Sequence, residues 1–156
     1  MIKNALGFVW FEPHDGQFRA FLTMEDIITG REDPEVLLNQ VAGLYEQAVK
    51  GMRSLVAEIQ DMRTHRKLVP ARKVWQVGDA IFILGKELEK FSLQVDGLYD
   101  HLVRDLGVKR KWLEKVVIFR RYLPEQEAIP DSLNWGRCEK GTRRIAEQIR
   151  GGMLHS

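Results

Sequence analysis

Along most of the chain apolar residues return every three or four positions, the period of an amphipathic helix. From Asp33 the pattern runs Leu37, Val41, Leu44, Ala48, Met52, Leu55, Ile59 and Met62, which predicts one long helix over residues 33–66. Asp33 can cap it and Pro34 suits the first helical position, where its missing N–H is no loss. Glu35 favours the positive end of the helix dipole. The basic stretch Arg63-Thr64-His65-Arg66-Lys67 and then Pro70 interrupt the period. A second helix is expected from about Pro70, with Val74, Val77, Ile81, Leu84, Leu88 and Phe91 as its stripe. Ser92 is placed to cap a third, which turns Leu98, Leu102, Val103 and Leu106 inward and ends at Gly107. A fourth runs from about Lys109 to Leu123, before Pro124. Asp131 or Ser132 caps a last helix with Trp135, Cys138, Thr142, Ile145 and Ile149 on one face, and Gly151-Gly152 closes the pattern.

The N-terminal segment follows a different rule. Gly7-Phe8-Val9-Trp10-Phe11 and Gln17-Phe18-Arg19-Ala20-Phe21-Leu22 are aromatic-rich, strand-like runs, and Pro13-His14-Asp15-Gly16 between them has turn chemistry. Two strands alone are barely stable, so this hairpin must pack on helices or extend another sheet. The expected fold is therefore mainly α: a helical bundle containing a helix-turn-helix, with a short N-terminal β-hairpin. With no internal repeat and no linker, residues 1–156 read as a single domain: hairpin 1–30, long helix 33–66, helical region 70–150.

Composition narrows the class. With 156 residues, 44% hydrophobic and 29% charged, the chain can bury a core and is too apolar for a disordered protein. A single cysteine, Cys138, excludes an internal disulfide framework and fits a reducing cytoplasm. No apolar run approaches the ~20 residues of a membrane span, and the start Met1-Ile2-Lys3-Asn4-Ala5 lacks the layout of a signal peptide, so a cytoplasmic location is expected. The formal charge is +2, but residues 1–60 hold five Lys/Arg against nine Asp/Glu, and the remainder nineteen against thirteen. A charge near zero thus hides a basic half able to meet a phosphate backbone.

Catalytic and metal chemistry find little footing. His14, His65, His101 and His155 are scattered, and Cys138 has no partner. His101 reads as a surface or packing residue, and Cys138, on an apolar stripe, as buried filler. No glycine-rich phosphate loop occurs, and no carboxylate pair has a placement that spacing can argue. Trp75, Trp112 and Trp135 sit on or beside apolar stripes and read as core. No cofactor, no metal and no catalytic residue is expected.

One constellation carries a mechanism. Leu98–Val116 has helix-turn-helix spacing: Leu102, Val103, Leu106, Val108, Leu113 and Val116 supply the apolar contacts and Gly107 the turn, with Val103 large for the helix crossing. Between Lys109 and Arg121 stand six cations, Lys109, Arg110, Lys111, Lys115, Arg120 and Arg121, against Glu114 alone. In this motif the start of the second helix enters the major groove, where Lys and Arg hold phosphates and Arg can read guanine. Arg63, Arg66, Lys67, Arg72 and Lys73 form a second basic patch that would extend the footprint; a merely solvated corner explains them equally well.

The residues also resemble a known family. Val74-Trp75-Gln76-Val77-Gly78-Asp79-Ala80-Ile81 looks like the aromatic-x-x-glycine helix in the N-terminal helical domain of YhcG-like bacterial proteins, which a PD-(D/E)XK nuclease domain usually follows. Leu98 through Pro124 is similar to that domain's next block, with Leu113, Val116, Phe119 and Pro124 matching its apolar pattern. Leu133-Asn134-Trp135 and the Arg143-Arg144 helix resemble its "leucine-x-tryptophan" segment. The resemblance covers about residues 70–149; the loop after Gly107 is shorter than the family's, and no PD…(D/E)xK signature is readable. It implies a DNA-associated helical module from defence or mobile-element biology, without cleavage activity.

The leading expectation is thus a non-enzymatic protein that binds double-stranded DNA, or another nucleic acid, through its helix-turn-helix. It is expected to act as a homo-oligomer or a subunit of a larger complex, with no membrane partner. The alternative is a protein–protein assembly subunit whose basic face is incidental; an enzyme with a site built from dispersed residues stands third.

Overall fold

The computed structural model describes residues 2–3, 8–11, 19–23, 34–90, 94–96 and 98–152, and side chains from 39 to 90 and from 98 to 152. The protein is mainly helical. Its elements are β1 (Ile2–Lys3), β2 (Phe8–Phe11), β3 (Arg19–Thr23), α1 (Pro34–Thr64), α2 (Ala71–Lys90), β4 (Gln94–Asp96), α3 (Leu98–Leu106), α4 (Arg110–Tyr122), a 3-10 turn (Gln126–Ala128), α5 (Trp135–Glu139) and α6 (Thr142–Arg150). No helix among the described residues is long and apolar enough to cross a membrane.

The chain divides into two compact units, each built from two stretches of sequence: 1–49 with 83–107, and 50–82 with 108–156. In the first, the strands form an antiparallel sheet of order β1-β2-β3-β4, with Trp10 opposite Phe21 and Ala20 opposite Val95. The turn expected at Pro13–Gly16 lies outside the described residues. Val41, Tyr45, Val49, Leu84, Leu88, Leu102 and Leu106 are buried here. Tyr45 Oη donates to Asp105 Oδ2 at 2.5 Å, and its ring meets His101 edge-on at 6.4 Å. His101 is thus a buried packing residue, its Nδ1 3.0 Å from Arg104 Nη2.

The second unit has its core where α2, α4, α5 and α6 supply Val74, Val77, Leu113, Val116, Phe119, Leu123, Trp135, Ile145 and Ile149. Phe119 and Trp135 pack edge to face at 5.3 Å. Gly78 permits the close approach of α4: a Cβ there would stand 2.8 Å from both Val116 O and Arg120 Cβ. Trp75 anchors the end of α4 by donating from Nε1 to Leu123 O at 2.6 Å.

Three expectations need correction. α3 begins at Leu98, and Gln94–Asp96 form β4 beside β3, satisfying a strand edge that would otherwise stand open. The last helix is two helices. Thr142 Oγ1 donates to Cys138 O at 2.9 Å, taking the carbonyl that a continuous helix would offer to the Thr142 N–H, and Gly141 leaves helical geometry at φ −163° and ψ 58°. The cap of α5 is Asn134, whose Oδ1 accepts from Arg137 N at 3.0 Å, rather than Asp131 or Ser132.

Candidate nucleic-acid interface

The two units carry opposite charge. The second holds eighteen Lys/Arg against nine Asp/Glu, a balance of +9; the first holds six against thirteen, a balance of −7. Both unit totals cover the whole chain and sum to its +2.

In the basic unit, seven of the nine carboxylates are engaged within the unit: Glu58, Asp61, Asp79, Glu114, Asp131, Glu139 and Glu147. Their partners include several of the expected binding residues. Arg120 is one, and its inclusion in the binding set is corrected here. It is 9% exposed, its Nε donates to Asp79 Oδ1 at 2.9 Å, and its guanidinium lies 4.2 Å from the Phe82 ring centroid and 5.4 Å from that of Trp75. Arg120 is a structural cation that ties α4 to α2.

The second basic patch divides the same way. Arg72 Nε donates to Ile129 O at 2.7 Å and Nη1 pairs with Asp131 at 2.5 Å, so Arg72 fastens the segment after α4. Lys73 pairs with Glu58, and Arg63 with Glu139 at 3.2 Å. Arg66 and Lys67 are exposed and have no carboxylate partner among the described residues.

On α4 the remaining residues behave differently. Lys109, Arg110, Lys111 and Arg121 are exposed and Lys115 half-buried. Arg110 pairs with Glu114 at 3.4 Å, one turn along the helix; Lys109, Lys111, Lys115 and Arg121 have no carboxylate partner among the described residues. The helical period explains the split. Leu113, Val116, Phe119 and Arg120 share the buried face, while Arg110, Glu114 and Arg121 lie on the opposite one and Lys111, Lys115 and Tyr122 beside them.

Spacing alone overlooked the far side of α6. Thr142, Ile145, Ala146 and Ile149 point inward, which leaves Arg143, Arg144 and Arg150 exposed. Arg143 lies 5.7 Å from the Tyr122 ring centroid, so the cations of α6 adjoin the outer face of α4. The signal for them was present as the polar complement of the apolar stripe.

Other chemistry is sparse. Among the described residues no group of three or more His, Cys, Asp or Glu could hold a metal ion. Cys138 is buried, and burial pushes its thiol up to about 11. Trp75 and Trp135 are core residues; Trp112 is half-buried, and its Nε1 has no hydrogen-bond partner among the described residues. No family model, curated protein or solved structure matches the chain.

Proposed function

We propose that the chain is a non-enzymatic, cytoplasmic protein that binds double-stranded DNA through the basic unit. In this reading α4, which follows the turn at Gly107 (φ of +65°), serves as the recognition helix of the basic unit. Lys109, Arg110, Lys111, Lys115 and Arg121 meet phosphates and base edges. Self-association would present two such units to two half-sites. The resemblance to YhcG-like proteins favours a setting in bacterial defence or mobile-element biology.

The observation that carries the reading is the surplus of exposed cations in one unit, with Lys109, Lys111, Arg121, Arg66 and Lys67 lacking a carboxylate partner among the described residues. Four of the unit's nine carboxylates, Glu58, Asp79, Asp131 and Glu139, tie one element to another, and on α4 Glu114 alone stands against Lys109, Arg110, Lys111, Lys115 and Arg121. An affinity titration against salt tests this. Replacing Lys109, Arg110 and Lys111 with alanine should flatten the log-affinity against log-salt slope by up to roughly three, about one per lost phosphate contact. The melting temperature should stay nearly constant, since all three are exposed. Unchanged binding by the triple variant, or no duplex binding by the parent at low salt, would remove the reading in favour of protein–protein assembly.

A further inference from the structure

Where α1 gives way to α2, the chain holds an apolar side chain out in solvent beside two cations. Arg66 takes φ +56°; its N–H donates to Arg63 O at 3.0 Å and the Lys67 N–H to Met62 O at 2.8 Å. This is a helix end in which glycine ordinarily fills the left-handed position. Just beyond, the chain is fixed again: Trp135 N–H donates to Val69 O at 2.7 Å, Ala71 N–H to Leu133 O at 2.9 Å, and Pro70 bridges to Asn134.

Between these two anchors stands Leu68, 77% exposed. A lone exposed leucine on a loose loop is ordinary. This one is clamped by backbone hydrogen bonds on both sides, so its projection is preset. The carboxylates bonded to the last turn of α1 are already engaged, Asp61 with His65 and Glu139 with Arg63. Arg66 and Lys67 therefore present net positive charge around the leucine.

We propose that this corner is a second contact with duplex DNA, in which Arg66 and Lys67 hold phosphates and Leu68 enters the minor groove as a wedge between base pairs. The proposal rests on the DNA-binding reading above. A wedge must be apolar, held in place, and flanked by cations that keep the backbone close while a base step opens. The corner meets all three requirements. Arginine in place of glycine at the left-handed position fits too, because it gives up backbone ease for a charge beside the leucine.

The test is a fluorescence titration at low salt with a set of short duplexes carrying 2-aminopurine at successive steps, which brightens when unstacked. The parent should bind and brighten one duplex or more. Leu68→Ala should lose the brightening and bind about tenfold more weakly with an unchanged salt slope. Lys67→Ala should keep the brightening and flatten the slope by about one. Thermal melts of both variants should match the parent, which separates lost binding from lost fold. A parent that binds without brightening any duplex, or a Leu68→Ala variant that behaves as the parent does, overturns the wedge and leaves the DNA-binding reading standing. A parent that binds no duplex overturns both. Loss of self-association in Leu68→Ala with DNA binding intact would assign the leucine to a second copy of the chain and likewise overturn the wedge.

Discussion

The acidic and basic units use ion pairs in opposite ways. In the acidic unit, every described Lys or Arg side chain is in an ion pair: Lys86 with Glu89, Lys90 with Glu87 and Arg104 with Asp105. What is left over is negative. In the basic unit the carboxylates are the scarce partner, and the buried or half-buried arginines Arg120 and Arg72 take two of them. What is left over is positive and includes cations on the outer faces of α4 and α6 and at the Arg66–Leu68 corner. Net charge therefore says less about binding than which charges the fold has already used. Counted along the chain, Arg120 and Arg121 look alike; in the fold one is a helix tie and the other faces solvent.

That contrast can be broken in the core first. Arg120→Ala leaves Asp79 without its cation and removes the guanidinium from between Phe82 and Trp75. It should destabilise the protein by about 3 kcal/mol in a denaturant titration, at the lower end for a buried pair because Asp79 is 29% exposed. If it costs under about half a kcal/mol, Arg120 belongs with the surface cations after all. The counterpart in the acidic unit is Tyr45→Phe, which deprives Asp105 of its hydroxyl donor. Its expected cost is about 1–2 kcal/mol, smaller because Arg104 still pairs with Asp105.

A smaller effect of opposite sign is expected at the corner. Arg66→Gly should stabilise the fold by about 1 kcal/mol by relieving the left-handed backbone, while weakening DNA binding. Stabilisation with undiminished binding would make Arg66 a bystander.

Cys138 sharpens the point that burial, not residue type, sets chemistry. Its thiol is held neutral up to about 11 in the fold, above its ordinary value of 9.0. The unfolded chain therefore loses that proton first as pH rises, so the thiol's contribution is intact below about pH 9 and declines between 9 and about 11. Cys138→Ala should flatten the stability-against-pH curve in that window. An unchanged alkaline decline would mean that other groups dominate it.

Much of the helical frame was legible from spacing, and the reasons are local. The stripe Val74, Val77, Ile81, Leu84 and Leu88 is buried as expected, and α1 begins at Pro34. On α1 the buried set includes Tyr45, Val49 and Val56, beside the expected line, because a helix with apolar residues on two adjacent lines leaves tertiary packing to choose the angle. What spacing could not give depended on distant partners. Arg120 meets Asp79 across 41 positions, and β4 needs β3 beside it. The break at Gly141 turns on whether Thr142 bonds Cys138 O by its hydroxyl or its N–H, which a hydrophobic pattern does not encode. The candidate interface was half legible: Lys109, Lys111, Lys115 and Arg121 lack a carboxylate partner among the described residues, Arg120 is buried against Asp79, and the exposed Arg144 and Arg150 are legible only as the reverse of a stripe.

The central claim is that one unit, and not the other, meets a polyanion. Two charge reversals of equal size test it: Lys109→Glu with Lys111→Glu in the basic unit, and Lys86→Glu with Lys90→Glu in the acidic unit. Fluorescence anisotropy on a fixed DNA duplex, from about 50 to 200 mM salt, reads both affinity and slope. The account predicts that the first pair lowers affinity by at least about tenfold and flattens the slope by about two, while the second leaves both where the parent has them. Equal losses from the two pairs, or no loss from either, would contradict it.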